Sequence, residues 1–288
     1  MENQIRKIEP SDLEFPNCLR TIPSRPKELY LIGKLDQTKP CVAVVGARIP
    51  TAYGKQAAHD IVSGLSRAGV CIVSGMAPGI DTLAHRSALE SSGITVGVLG
   101  TGLDQNSFYP KENLDLAEKI VDNGGCLISE YPFGFRATNY SFPQRNRIIA
   151  GLALAVVVIE AKEKSGSLIT AEWARKQHKL VFAVPGSIYS ATSRGCHRLL
   201  KNGGKPAESA TDILEALGVD PAAKKSPAKA DSADEQKIMD TLSDGALDID
   251  EIILEAKLNA KTVMSLLPLM EMKGIVQDLG NRMYCLKS

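Results

Sequence analysis

The stretch CVAVVGARIPTAYGKQAAHDIVSGLSRAGVCIVSG, residues 41–75, begins and ends with a short apolar run. Neither CVAVVG at its start nor CIVSG at its end contains a charged residue, and a helical pattern lies between them at 52–68. Strands that are apolar throughout are buried on both faces of a sheet, and a helical connection makes neighbouring strands parallel. The stretch therefore predicts a βαβ unit whose helices cover a parallel sheet.

The same alternation of strand and helix patterns continues to residue 218. Further strands are predicted at 94–100, 126–130, 153–161 and 180–186. Further helices are predicted near 80–91, 112–123, 167–177 and 209–218. Because right-handed crossovers place such helices on both faces, residues 41–218 are predicted to form a doubly wound α/β domain with a mostly parallel sheet. Residues 1–40 are predicted to be an N-terminal extension that packs on this core.

The composition changes after residue 218. VDPAAKKSPAKADSA, 219–233, is rich in Ala, Lys and Pro and is typical of a flexible linker. Three helical patterns follow, at 234–243, 248–257 and 261–273. The ending GIVQDLGNRMYCL, 274–286, indicates a two-stranded wing with its turn at Gly280 and Asn281. Three helices and a wing predict a small winged-helix domain over residues 234–288.

Charge is distributed unevenly between these two parts. Residues 232–288 carry six Lys or Arg and ten Asp or Glu, a net charge of −4, whereas the remaining residues carry 28 and 23, a net charge of +5. A winged helix that grips duplex DNA needs a basic recognition helix, but the third helix here offers only Lys261 and Lys273, at its two ends. The sequence therefore favours a packing or protein-contact role for this domain over DNA binding.

The sequence favours a cytoplasmic protein without a metal site. The start, MENQIRKIEPSDLEF, has no apolar signal region, and the longest apolar run, Ile148 to Ile159, is too short to span a bilayer. The six cysteines show neither CxxC nor Cys/His zinc spacing, so buried reduced thiols are expected.

Two turns after predicted strands have the features of an anion site. VVGARIPTAYG, 44–54, contains Gly46 and Arg48, and SGMAPGID, 74–81, contains Ser74 and two glycines. Ligands of open α/β sheets bind at the carboxyl ends of the strands, where glycines let backbone N–H groups approach an anion. Two alternatives stay open, because Arg48 could be a solvated turn arginine and Asp81 could simply favour the positive end of a helix dipole.

Two further segments add donors to the same end of the sheet. In FPQRNRIIAGLA, 142–153, the two arginines could pair with phosphates, Asn146 could read a base edge, and Phe142 offers a face for a base. Alternatively, one arginine extends into solvent and the other makes an internal salt bridge. KSGSLITAEWA, 164–174, supplies either a serine N-cap or an anion cradle. Together the four segments predict a crevice that accepts phosphate.

No arrangement of catalytic residues is evident. The four histidines form no HExxH pattern and no GxSxG elbow occurs. Glu130 and Glu160 follow predicted strands and could be paired carboxylates, but we favour a role in holding the arginines in place. The sequence therefore favours a binding protein over an enzyme.

Many of these segments together resemble one family. The ordered set is FPNCLRTIPSRPKELYLIGKL (15–35), VVGAR, SGMAPGIDTLAH (74–85), VLGTGLDQNSFYP (98–110), ISEYPFG (128–134), FPQRNRIIAGLA, SGSLITAEWA and VFAVPG (181–186). In this set the chain resembles the family of DNA-processing protein A, also called Smf, and its tail is similar to the winged helix of that family.

The resemblance implies an extended Rossmann-like fold that binds and protects incoming single-stranded DNA, and loads the RecA recombinase in transformation and recombination. It implies a homodimer, no turnover and no cofactor. Many members have Ser where this chain has Ala47, which removes one donor, and residues 1–40 are too few for the helical N-terminal domain that some members have. The DNA-binding residues that it implies are Gly46, Arg48, Ser74, Gly75, Phe142, Arg145, Asn146, Arg147, Ser165, Gly166, Ser167 and Thr170.

An enzyme remains the alternative hypothesis. Nucleoside-monophosphate phosphoribohydrolases of the same broad Rossmann-like group carry a PGGxGTxxE pattern, which compares with SGSLITAE here, ending in Glu172. This chain lacks the second glycine, the GT pair and the Glu spacing of that pattern. Release of free base from a nucleotide would support the enzyme hypothesis.

Overall fold

The computed structural model of the protein describes residues 5–219, 232–273, 275–280 and 282–286. The chain divides into two compact units between Lys224 and Lys225. Most of the predicted linker, residues 220–231, lies outside the described residues. In the part of the chain that is described, no helix is both long enough and apolar enough to cross a membrane.

The first unit is built on a sheet of nine strands, in the order β1-β2-β6-β5-β4-β3-β7-β8-β9. From β6 to β9 all neighbours are parallel, whereas β1 and β2 are antiparallel additions at one edge. The strands are β1 (Arg6–Ile8), β2 (Leu29–Gly33), β3 (Cys41–Val45), β4 (Cys71–Ser74), β5 (Thr95–Leu99), β6 (Cys126–Ser129), β7 (Ala155–Val158), β8 (Leu180–Ala183) and β9 (Lys205–Pro206). The prediction of a doubly wound, mostly parallel α/β fold is confirmed.

Helices cover both faces of this sheet. They are α1 (Ala52–Arg67), α2 (Ile80–Glu90), α3 (Leu114–Asp122), α4 (Ser141–Leu152), α5 (Gly166–Lys176), α6 (Arg194–Lys201) and α7 (Ala210–Leu217). Successive residues of a strand point to opposite faces. Accordingly, Val42 and Val44 of β3 pack in a core with α1, α2 and α7, and Ala43 and Val45 pack in a core with α4, α5 and α6. Both faces of β3 are buried, which is why its sequence is apolar throughout.

The N-terminal segment before β3 packs on the core, and it also supplies strands of the sheet. It supplies β1 and β2, and β2 pairs with β6 in a register that places Tyr30 opposite Ser129. Phe15 and Leu19 lie between β1 and β2 in the sequence, and both are fully buried in the same core as α4. The segment therefore extends the sheet and also closes one side of the helix that carries the arginines.

The sequence patterns do not predict α4. Its residues from Arg145 to Leu152 are all buried, so the helix has no long polar face and shows no clear helical period. The predicted strand at 153–161 shortens to β7, and α4 ends at Leu152, directly before the predicted strand. The two arginines thus lie on a buried helix that precedes β7.

The second unit has the predicted three helices and a wing. Its helices are α8 (Ala233–Thr241), α9 (Ile249–Glu255) and α10 (Ala260–Met272), and its strands are β10 (Leu247–Asp248), β11 (Val276–Gly280) and β12 (Met283–Leu286). The strand order is β10-β12-β11, and the unit has its own apolar core. The predicted wing turn includes Asn281, which lies outside the described residues.

The third helix of this unit, α10, exposes a largely apolar face. Met264 and Leu269 are exposed, and Lys261 is the basic residue beside them near the start of the helix. Pro268 lies inside the helix on the same face. The described residues of this face form no row of cations of the kind that phosphate binding requires.

Candidate nucleic-acid interface

A cleft of about 740 Å³ opens at the carboxyl ends of β3 and β7. The chain runs from β3 to β4, β5 and β6 on one side of β3, and then returns to β7 on the other side. The connections that follow β3 and β7 therefore diverge, and the crevice between them is the usual ligand site of a doubly wound sheet. The position of this cleft follows directly from the strand order.

Nine of the twelve predicted site residues line this cleft. They are Gly46, Arg48, Phe142, Arg145, Asn146, Ser165, Gly166, Ser167 and Thr170. The lining does not include the other three, which are Ser74, Gly75 and Arg147. The predicted convergence of segments at one edge of the sheet is therefore present, but some of their polar side chains have another role.

The turn after β3 leaves one arginine available to a ligand. Arg48 is exposed and has no hydrogen bond or ion pair to another described residue. Its turn fits closely against the start of α2, where Ile80 N donates to Ala47 O at 3.1 Å. A Cβ on Gly79 would lie 2.3 Å from Ala47 O, and its φ of +85° also requires glycine. The close approach of the two turns positions Arg48 at the mouth of the cleft.

Arg145 forms the floor of the cleft. Its Nη1 donates to Gly75 O at 2.5 Å and also to Val98 O, and its Nε donates to Asn146 Oδ1 at 3.3 Å. Burial lowers the pKa of this guanidinium to about 10, and the nearby carboxylate of Asp81 opposes that shift. Arg145 therefore remains charged at neutral pH, although carbonyl groups already occupy part of its donor capacity.

Asp81 lies beside Arg145 and also lines the cleft. Its Oδ2 accepts from Gly75 N at 3.1 Å. Burial raises the pKa of Asp81 to about 6, and the charge of Arg145 opposes that shift. Ser74, one residue earlier, donates from Oγ to Val44 O at 2.6 Å. Ser74 and Gly75 therefore connect the end of β4 to β3 and to α2 beneath the cleft, and they do not line it.

The start of α5 forms one side of the cleft. Ser165 is the N-cap, because Ser167 N donates to Ser165 Oγ at 3.4 Å, and the two hydroxyl oxygens are 2.7 Å apart. Gly166 is exposed, and a Cβ added to it would meet no atom within 4 Å. Asn146 Nδ2 donates to Gly166 O at 3.3 Å and so ties this loop to α4. The segment contains the predicted serine N-cap and also lines the cleft, and the anion cradle stays a prediction.

The structure corrects the prediction that Arg147 is a residue of the DNA site. The guanidinium is buried, with Nε donating to Ser24 O at 2.8 Å, Nη1 donating to Gln144 O at 3.0 Å and Nη2 bonded to Glu130. Its side chain therefore joins α4 to the N-terminal segment and to the end of β6, and it does not reach the cleft. This is the internal salt bridge that the sequence left open for one of the two arginines.

The two glutamates differ from each other. Glu130 holds Arg147, as favoured from the sequence, but among the described residues Glu160 pairs with no arginine. Instead the buried carboxylate of Glu160 accepts from Thr51 N at 2.9 Å, Thr51 Oγ1 at 2.7 Å and Thr192 Oγ1 at 2.8 Å. Because Thr51 is the N-cap of α1, Glu160 stabilises the positive end of that helix.

Among the cleft residues that the sequence interpretation missed, two lysines and a tyrosine are relevant to binding. Lys162 and Lys164 are exposed and line the cleft beside the start of α5. Both lysines lie in the connection after β7, and their position after a buried strand could have indicated that they line the cleft. Tyr109, from the connection after β5, also lines the cleft, but nothing in its local sequence indicates that position.

Catalytic groups are sparse in the cleft. Of the described residues that line it, Asp81 is the one carboxylate. Glu172, on which the enzyme hypothesis depends, is exposed outside this lining and pairs with Lys176 at 3.2 Å. No group of three His, Cys, Asp or Glu side chains in the described ranges could hold a metal ion. The geometry suits binding of an anion better than hydrolysis of a nucleotide.

We predict that Arg147→Ala destabilises the first unit by about 3 kcal/mol, because it leaves the Glu130 carboxylate and two carbonyl groups without their donor. The single tryptophan, Trp173, lies on α5 and reports the urea unfolding of this unit. Arg67→Ala, at an exposed position on α1, is the matched control and should leave the midpoint unchanged. Equal midpoints for both variants would contradict a structural role for Arg147.

Comparison with known proteins identifies the family of this chain. The family described as DNA recombination-mediator protein A matches residues 6–218, and the DprA winged helix domain matches residues 222–281. The Putative DNA processing protein DprA of Mycobacterium tuberculosis H37Rv is 39% identical over an alignment of 304 positions with gaps, which covers 98% of this chain and 77% of that protein. Protein Smf of Synechocystis is 42% identical over 81% of this chain, but the match spans only 57% of that relative.

Two solved structures share the fold. DNA processing protein A of Streptococcus pneumoniae matches with a TM-score of 0.69 and 42% identity, over 74% of each chain. The protein from Helicobacter pylori, described for its unique single-stranded DNA binding mode, matches with a TM-score of 0.65 and 30% identity, over 74% of this chain and 95% of that one. The resemblance found in the sequence is thus confirmed, and the chain belongs to the DNA recombination-mediator protein A family, with that family's winged-helix domain at its C-terminal end.

Proposed function

We propose that this chain binds single-stranded DNA in the cleft between the connections after β3 and β7. The observation that carries the proposal is the set of exposed cations on that rim, which are Arg48, Lys162 and Lys164. They line the same cleft as the start of α5, whose first N–H groups have no partner within the helix and favour an anion. The similarity to the Helicobacter pylori protein with its single-stranded DNA binding mode supports the same conclusion.

The contacts offered by the rim go to phosphate rather than to base edges. Lysine and arginine neutralise phosphates without reading sequence, so the affinity should be sensitive to salt and tolerant of sequence. The near-zero net charge of the chain, +1, is compatible with this function because the cations are concentrated locally. Binding in this cleft would cover the strand and so protect it.

The first test is fluorescence anisotropy with a labelled single-stranded oligonucleotide at several salt concentrations, with duplex as competitor. We expect Arg48→Ala and Lys164→Ala each to weaken binding by about tenfold and to lower the slope of log affinity against log salt by about 0.7. The reason is that each variant loses one phosphate contact. Because both side chains are exposed, the unfolding midpoint should not change.

Arg67→Ala is the control for loss of one positive charge away from the cleft, because Arg67 is exposed at the far end of α1. It should bind like the intact protein. If Arg48→Ala and Lys164→Ala also bind like the intact protein, the cleft is not the DNA site.

We also expect affinity to increase as pH falls through about 6. The pKa of Asp81 is raised to about 6, so the carboxyl is ionised at pH 7.5 and becomes neutral below pH 6. Protonation removes one negative charge from the cleft floor, which should strengthen phosphate binding by about fivefold. His85 does not contribute in this range, because burial lowers its pKa to about 3.

Anisotropy at pH 5 and pH 7.5 checks this expectation. Asp81→Asn should bind with similar affinity at both values, since it carries no titrating group at that position. The same pH dependence in the intact protein and in Asp81→Asn would exclude Asp81 as its source.

We further propose that the chain acts as a homodimer that loads RecA onto the bound strand in transformation and recombination. The support is the description of the family as a recombination mediator. The chain should increase the rate of RecA ATP hydrolysis on DNA already coated with single-stranded-DNA-binding protein, and light scattering should give twice the mass of one chain. An unchanged rate would contradict loading, and a monomeric mass would contradict the dimer.

A further inference from the structure

The turn after β4 contains a strained residue. Met76 has a φ of +58°, in the left-handed region that residues with a side chain rarely adopt. The other described non-glycine residues with a positive φ are all exposed, whereas Met76 is fully buried. Its side chain packs in an apolar core with α3, where Gly97 leaves room for it, because a Cβ there would lie 2.9 Å from Met76 Sδ. A strained conformation of this kind persists only where surrounding groups hold it.

A buried amide contacts this turn from outside the cleft. Asn113 is 4% exposed, directly precedes α3 and is absent from the cleft lining. Its Nδ2 donates to Met76 O and to Thr82 Oγ1, each at 2.8 Å. Thr82 Oγ1 in turn donates to Ala77 O at 2.8 Å. Both hydrogens of one amide are therefore committed to the strained turn and to the helix α2 that follows it.

The same turn fixes groups that form the cleft. Gly75, directly before the strained residue, accepts from Arg145 Nη1 at 2.5 Å and donates from its N–H to Asp81 Oδ2 at 3.1 Å. At the other end of the turn, Gly79 lies so close to the turn after β3 that a Cβ on it would meet Arg48 O at 2.5 Å. The φ of the strained residue sets the orientation of the peptide plane that carries the Gly75 carbonyl. A change in this one angle would therefore displace an acceptor of Arg145 and the surface on which the Arg48 turn packs.

We propose that Asn113 is a positioning residue of the cleft, which holds Met76 in its left-handed conformation and thereby keeps Arg145 and the turn of Arg48 in place. This inference rests on the proposed function, and it adds a residue that acts on binding without touching the strand. Without the amide, Met76 relaxes to a negative φ, and the Gly75 carbonyl turns away from Arg145. The floor of the cleft is then no longer fixed.

The test measures the affinity for a labelled single-stranded oligonucleotide and, without DNA, hydrogen exchange of the segment 75–83 by mass spectrometry. Asn113→Ala should weaken binding by about tenfold, because the binding groups lose hydrogen bonds and preorganisation. It should also accelerate exchange of the segment by about tenfold, since the amides of Gly75 and Ile80 are hydrogen bonded in the intact protein. Asn123→Ala is the matched control, because Asn123 at the other end of α3 also donates to a carbonyl but is exposed. It should change neither measurement.

A double variant, Met76→Gly with Asn113→Ala, separates a positioning role from a loss of stability. Glycine adopts a positive φ without steric cost, so the turn no longer needs the amide, and the double variant should come within about threefold of Met76→Gly alone in affinity and in exchange. Met76→Gly also leaves a cavity and should lower the urea midpoint that Trp173 reports. General destabilisation by Asn113→Ala would therefore become worse in the double variant and not be repaired.

A further loss of affinity in the double variant would overturn the positioning role, and so would unchanged affinity in Asn113→Ala. Failure of the intact protein to bind a single strand would reject the proposed function itself. The exchange measurement would still decide whether Asn113 holds the turn, because it requires no DNA. Unchanged exchange in Asn113→Ala would show that it does not.

Discussion

The burial of Arg145 is the interaction on which the cleft depends. Its guanidinium bonds to carbonyl oxygens of Gly75, at the end of β4, and of Val98 in β5, and it lies beside Asp81 of α2. Burying a charge is costly unless hydrogen bonds and a counter-charge compensate for it, and here both are present. The pairing fixes α4 against the ends of the strands and against α2. The remaining cleft residues are positioned relative to this floor.

Three consecutive polar residues on α4 have three different roles for a geometrical reason. Each helical residue is rotated by about 100° from the one before it, so neighbours cannot face the same surface. Arg145 points to the floor, Asn146 ties the start of α5, and Arg147 turns away to Glu130 and Ser24. Both arginines of this motif therefore form hydrogen bonds to other groups of the protein. The cations that remain exposed in the cleft are on loops after strands, where binding residues commonly lie.

The element order could be predicted because apolar runs and helical periods are local signals. The helix α4 could not, since burial on nearly all sides removes the alternation that marks a helix. The partner of Glu160 could not be predicted either, because Thr51 is 109 positions away in the sequence. Nine of the twelve predicted site residues line the cleft, since the ends of parallel strands necessarily meet at one edge. Tyr109 was missed because nothing in its local sequence indicates that the connection after β5 reaches the cleft.

The sequence by itself determined the α/β class, the winged-helix ending, the unequal charge of the two parts and the edge of the sheet at which the donors gather. It could do so because strand burial and strand direction follow from local composition and from right-handed crossovers. Only the tertiary structure decided which donors are free and which are used internally. Arg48 and Arg147 are the same residue type, yet Arg48 is exposed, whereas Arg147 is buried and bonded to Glu130 and Ser24, which are distant in the sequence. Whether a polar group is available to a ligand depends on those long-range partners.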